Sequence, residues 1–196
     1  MSCHTVTHPT IARSPVEQVA VQVLEDRRYI ERIAGYPVRG LSYPNGSYNR
    51  EIIELLPKLG IEYSRIVGNT DDFSMPENYL AWEATCHHNH NLIENGKRFL
   101  ELKKTQYMYM MYVWGHSYEF NIYGNWDVME EFCRNCGGRD DIWYATNIEI
   151  VDYMEAAGRL QFGAAGNMVY NPSAASVWIE VNGEKKEIQG GTLLEF

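Results

Sequence analysis

The six histidines of this 196-residue chain fall in three places, and each place carries a possible chemistry. His4 and His8, in "HTVTHP", converge on one ion if the chain between them turns. Neutral imidazole is the commonest protein ligand for zinc and related metals. A third protein ligand is the rule, however, and a pair of exposed terminal histidines is the plainer alternative. His116, in "VWGHSYEF", follows the most apolar run of the chain. At the carboxyl end of a parallel strand, a histidine can act as a general acid; the alternative is a hydrogen-bonded structural residue. Glu119 either accepts its other proton or is a solvated loop residue. "TCHHNH" (85–90) offers Cys86, His87, His88 and His90. Adjacent side chains on a strand point to opposite faces, so all four cannot reach one ion. Helix capping and loop packing ahead of Asn91 are the preferred reading there.

The elements that must position these residues alternate. Ser14-Pro15-Val16-Glu17 has the form of a capping box with proline in the first turn. Val19, Val21, Val23, Leu24, Tyr29, Ile30 and Ile33 follow at helical spacing, up to Gly35. A short strand is expected at 37–41, a turn at "YPNGSYN" (43–49), and a helix over 48–59 that Pro57 shortens and Gly60 stops. Strands are expected at 61–67, at "QYMYMMYVW" (106–114) and at "DIWYAT" (141–146), with helices at 91–104 and 126–134. Thr146 and Glu149 form a second capping box, opening a helix that ends at Gly158. This alternation predicts an α/β fold with a parallel sheet and crossover helices. After Gly158 the runs shorten, and "VWIEVNGEKKEI" reads as a hairpin turning at Asn182-Gly183. A small antiparallel β appendage is expected over residues 159–196.

Composition removes several classes of function. The formal net charge is −9, from 17 basic and 26 acidic residues, and no Lys/Arg cluster offers phosphates a basic face. A nucleic-acid partner is therefore not expected. No apolar stretch is long enough to span a membrane. Four cysteines are too few for a disulfide scaffold, and "CRNC" (133–136) has no second pair to complete a zinc site. The aromatic content of 13% suits a core of large side chains, and also a sugar-binding groove.

In their order along the chain, these stretches resemble the polysaccharide deacetylases, the carbohydrate esterase family four or NodB-homology domain. "HTVTHP" (4–9) is similar to that family's metal-binding "H-[ST]-x-x-H" motif. Ser42-Tyr43-Pro44-Asn45-Gly46 stands in the place of its "R-x-P-x-G" turn. Asp72 and Trp82 stand in that of its aromatic/aspartate segment, and His116 in that of its late-strand histidine. The layout of 43–61 resembles the family's turn and helix, and 140–156 the closing strand and helix of one subgroup.

The resemblance implies a (β/α) barrel of the deacetylase type, incomplete here, binding a divalent metal that is usually zinc. It implies removal of acetyl groups from N-acetylated or O-acetylated oligo- or polysaccharide. By carry-over, His4 and His8 are metal ligands and His116 is the catalytic acid. Tyr43, Pro44, Gly46, Trp114, Trp82 and Asp72 are substrate-binding. Two departures bear on this. The family's "TFDD" strand, source of its general base and third metal ligand, is not in the sequence, and Ser42 stands where arginine is usual. A whole barrel takes about 200–250 residues, whereas the barrel part expected here is residues 1–158. The expectation is a barrel lacking its amino-terminal strands, with weak metal affinity, little activity as this chain alone, and open sheet edges that a second copy would cover. A non-catalytic carbohydrate-binding or assembly protein on the same scaffold is the alternative, and an amidase or deformylase of small molecules a third reading. The sequence names neither the sugar nor the compartment.

Overall fold

The computed structural model describes residues 1–103 and 106–196, which divide into two compact units, Met1–Trp143 and Tyr144–Phe196. Lys104, the expected end of the third helix, lies outside the described residues.

In the first unit, α1 (Val16–Ala34) runs as expected and ends at Gly35, whose φ of 75° is the left-handed cap that favours glycine. Its start differs. Pro15 occupies the N-cap and makes no side-chain cap, so Ser14 and Glu17 form no capping box. Of its apolar positions, Val19 and Val23 are buried, while Val21, Tyr29 and Ile33 face outward. The expected second helix is α2 (Arg50–Leu55), which tightens into a 3-10 turn at Leu56–Leu59 around Pro57 and stops at Gly60. Proline removes the amide that a further α-turn would need. The α1 and α2 side chains close over β1 (Gly40–Ser42), packing Val19, Val23, Ile52 and Leu56 against Val38 and Leu41.

The parallel arrangement holds. β1 pairs with β2 (Tyr63–Arg65) in the register Leu41↔Ser64, Cys3 bridges Leu41 on the other side, and Trp82 bridges Arg65, all parallel. β3 (Cys86–His87) pairs in parallel with β4 (Val113–Trp114). Among the described residues these are separate two-stranded ladders extended by bridges, and no closed sheet is seen. The carboxyl ends of all these segments carry His4, Ser42, Arg65, His88 and Trp114.

Two expected strands are shorter or absent. The run 106–114 forms a strand only at Val113–Trp114, with one antiparallel bridge from Tyr109 to Ser74. Residues 141–146 form no strand, and Trp143 and Tyr144 are exposed. Strand propensity measures fit to a pleated neighbouring surface, so an aromatic run is not by itself a strand. The remaining helices of this unit are α3 (Leu92–Leu100), α4 (Ser117–Tyr123) and α5 (Trp126–Cys136). Gly96 lets α3 and α5 approach, since a Cβ there would meet Phe132 at 3.1 Å. All four cysteines are free thiols.

The second unit begins with α6 (Asn147–Gly158), capped as expected: Thr146 N–H donates to the Glu149 carboxylate at 2.7 Å. The sequence pattern groups this helix with the preceding elements, in residues 1–158, whereas the compact unit begins at Tyr144. β5 (Gln161–Phe162), β6 (Met168–Tyr170) and β9 (Leu193–Glu195) form an antiparallel sheet in the order β5-β6-β9. β7 (Val177–Val181) and β8 (Glu184–Ile188) form the expected hairpin. Asn182 and Gly183 take φ of 52° and 82°, as a two-residue turn of this kind requires. Buried Asn171 ties the unit together, donating to the Ala175 and Ile188 carbonyls at 2.8 and 3.0 Å.

Candidate functional site

His4 follows the Cys3 bridge directly, and the next residue, Thr5, has φ 65°; His8 has φ 54°. A β-branched residue in the left-handed region is strained, and strain of this kind gathers at functional loops. The two rings lie edge to face with centroids 4.7 Å apart. Only a nitrogen carrying hydrogen can donate to a carbonyl, so the 2.7 Å contact between His4 Nδ1 and the Ser42 carbonyl fixes the tautomer. His4 Nε2 is left with its lone pair, the form a metal needs. The His4 backbone N–H donates to Asp26 Oδ2 at 2.7 Å. Burial, with Asp26 adding to it, pushes the Cys3 thiol up to about 12, which favours the neutral thiol.

The turn after β1 is the 3-10 segment Pro44–Gly46. Gly46 has φ 63° and a Cβ there would meet the Val67 side chain at 2.7 Å, so the position demands glycine on both counts. Tyr43 is fully buried and donates its hydroxyl to the Leu80 carbonyl at 2.7 Å. Arg65 Nη2 donates to Ser42 Oγ at 2.6 Å. Arg65 also lies over the Trp114 ring, 4.6 Å from its centroid. A chain of contacts therefore runs from His4 through Ser42 and Arg65 to Trp114.

Beyond Trp114 lies a second cluster. The His87 ring meets Trp114 edge to face at 4.5 Å, and the His116 ring lies 6.4 Å from Trp114. Glu119, in the first turn of α4, gathers three imidazoles. Its Oε2 lies 3.0 Å from His87 Nε2 and 2.7 Å from His88 Nε2, and its Oε1 lies 3.3 Å from His116 Nδ1. It also accepts the His116 backbone N–H at 3.3 Å, the reciprocal bond of a capping box. Burial raises the Glu119 carboxyl, but the hydrogen bonds from His116 and His88 outweigh it and hold the group below its ordinary value. His87 is shifted down, first by burial and then by the neighbouring His88, which favours its neutral form.

His4, His8, His116 and Trp114 thus lie along one carboxyl-side edge, His116 in the second cluster rather than beside the pair. Two of the expected substrate residues are elsewhere. Trp82 is wholly buried, packed against Tyr63, Tyr79 and Tyr112. Asp72 is an exposed loop residue whose carboxylate accepts from Phe73 N–H and the Ser74 hydroxyl.

The cluster of His87, His88 and Glu119 was not foreseen from the sequence. The argument from alternating side chains holds only within a strand. β3 ends at His87, and a turn follows, which brings two adjacent imidazoles to one carboxylate. The other two donors of "TCHHNH" are used differently. Cys86 is buried, and His90 Nε2 lies 2.9 Å from Asp71 Oδ2. Among the described residues, His87, His88 and Glu119 are the group of three whose ligand atoms lie within 4.8 Å of one another.

No helix is long and apolar enough to cross a membrane among the described residues. No curated protein matches the chain. A solved structure, the Streptococcus pyogenes deacetylase PplD in complex with acetate, is similar over 35% of this chain and 30% of that one, at 18% identity and a TM-score of 0.34. That likeness is too slight to bear on fold or chemistry. The family model for polysaccharide deacetylase matches residues 1–64, the span holding the His4–His8 loop, α1, β1, the Pro44–Gly46 turn and α2. Over residues 1–64 the chain is similar to the polysaccharide deacetylase family.

Proposed function

We propose that the chain is a metal-dependent hydrolase that removes acetyl groups from N- or O-acetylated carbohydrate. The observation that carries this reading is the His4 tautomer. With Nδ1–H committed to the Ser42 carbonyl, Nε2 is free to ligate, and the His8 ring stands 4.7 Å away. Two adjacent imidazoles, one of them oriented by its bond to Ser42, suit a divalent metal of the zinc type. The family match supports the hydrolase class, and the parallel pairings β1–β2 and β3–β4 with intervening helices support a scaffold of the (β/α) barrel kind.

In this reading His4 and His8 hold the metal, which when bound polarises the acetyl carbonyl and acidifies a water. His116 donates a proton to the leaving nitrogen or oxygen. Its Nδ1 faces the Glu119 carboxylate, which leaves Nε2 for the transferred proton. Trp114 and the Pro44–Gly46 turn flank the approach. Proton removal from the water falls to a carboxylate outside this set.

Acetate release from acetylated chito-oligosaccharide by the zinc-loaded chain tests the proposal. Replacing His4 and His8 together by alanine is expected to abolish release, and His116→Ala to lower kcat by about 10²–10⁴-fold. Oligosaccharide binding without acetate release, unchanged by the His4/His8 replacement, would instead mark a non-catalytic carbohydrate-binding protein.

A further inference from the structure

We propose that His87, His88 and Glu119 form a second metal site, for a divalent transition ion of the zinc type, separate from the His4–His8 pair. The inference goes beyond the deacetylase reading and does not depend on it.

The donor set is two imidazole nitrogens and a carboxylate, a combination that holds zinc while leaving a fourth position to water. All three ligand atoms already converge. His88 Nε2 and His87 Nε2 approach the same oxygen of Glu119 at 2.7 and 3.0 Å. The donors come from the end of β3 and the first turn of α4, so two separate elements fix them. Their side chains are 3%, 16% and 18% exposed for His88, His87 and Glu119. A charge placed among them is therefore weakly screened.

The rings are held in place by packing. His88 lies tilted against Phe120 with ring centroids 4.1 Å apart, and His87 stands edge-on to Trp114 at 4.5 Å. Gly115 closes over His88 so tightly that a Cβ there would come within 1.9 Å of its ring. His88 supplies the independent observation. Its Nδ1 is buried without a hydrogen-bond partner, so the whole polar commitment of this ring points toward Glu119. A buried histidine kept only to brace a helix normally satisfies both nitrogens. In the empty site His88 Nε2–H donates to Glu119; ligation moves that hydrogen to Nδ1, where no protein partner competes, and turns the Nε2 lone pair to the ion.

Cobalt(II) is the probe, because its visible d–d absorption reports imidazole and carboxylate ligation directly. The full chain, stripped with chelator, is titrated in a variant where His4 and His8 are both alanine, so that only the proposed site is read. One equivalent of cobalt is expected to bind. Adding Glu119→Gln, or separately His87→Ala, is expected to weaken binding by more than about tenfold. No cobalt bound by the His4/His8 variant, or binding untouched by Glu119→Gln and His87→Ala, overturns the proposal. Circular dichroism checks each fold, and His87→Gln, at a position less buried than His88, decides if Glu119→Gln fails to fold. Acetate release does not enter this readout, so a failed deacetylase assay and a failed metal site remain distinguishable.

Discussion

The two histidine groups on the carboxyl-side edge differ in what completes them. His4 and His8 sit on a strained loop, His8 exposed, with one nitrogen of His4 tied to a backbone carbonyl. His87, His88 and His116 surround a carboxylate from the next helix and are walled by Trp114 and Phe120. The first group is poised and open; the second is packed and internally matched. Being a histidine near a strand end therefore says little about energetics. Whether the ring is part of the core decides what its loss costs.

The largest expected effect tests that distinction. His88→Ala removes a buried ring packed on Phe120 and leaves Glu119 one donor short. It should cost about 2–4 kcal/mol, as other large-to-small core replacements do. His8→Ala, at an exposed loop position, should cost no more than about 0.5 kcal/mol. Denaturant unfolding of both variants measures the difference. In a chain of this size, His88→Ala should lower Tm by about 2–4 °C per kcal/mol. Similar costs for the two would erase the contrast between an open pair and a packed cluster.

The next effect concerns what joins the groups. Arg65 binds Ser42 Oγ with one nitrogen and lies over Trp114 with its plane, and Ser42 in turn holds His4. A double-mutant cycle of Arg65→Gln and Trp114→Leu should return a coupling of about 0.5–2 kcal/mol. Arg65→Lys should keep only part of it, because an ammonium cannot stack as a planar guanidinium does. A coupling of zero would separate the two groups into independent sites.

What the sequence made legible follows the range of each signal. α1 up to Gly35, the shortening at Pro57, the Thr146–Glu149 cap and the Asn182-Gly183 hairpin are set by residues within a few positions of one another. Residues 106–114 and 141–146 were misread because apolar aromatic runs become strands only beside a matching surface, and that surface is distant in sequence. α4 was missed although His116 and Glu119 have capping-box spacing, because the N-cap is histidine rather than serine or threonine. The His4–His8 motif was readable because the ligands are four residues apart. The Glu119 cluster was not, because it depends on where β3 stops: one more strand residue would send His88 to the opposite face.

The smallest effect concerns the histidine in neither group. His90 lies 2.9 Å from Asp71 Oδ2, while Asp71 Oδ1 accepts from the buried Asn95 amide at 2.7 Å. The Asp71 carbonyl takes a bond from Arg98 at 3.1 Å, so one residue fastens the loop before β3 to α3. The Asn95 amide first, and His90 after it, hold the Asp71 carboxyl below its usual 3.8. A carboxyl depressed by folding contributes stability that is complete above its ordinary pKa and is lost as pH falls through the lowered folded value. Asp71→Asn keeps an acceptor for Asn95 and tolerates the φ of 51°, since asparagine visits that region readily, but it has no proton to take up. Unfolding free energies of the two proteins should therefore run parallel above about pH 5 and converge as pH falls below about 4, as the native chain alone loses this contribution. Convergence there, with no change in the pH dependence above it, would assign His90 and Asp71 to holding the loop and leave His87 and His88, with Glu119 from α4, as the chemically distinct group. Curves parallel down to pH 2 would show the Asp71 contacts to be too solvated to matter.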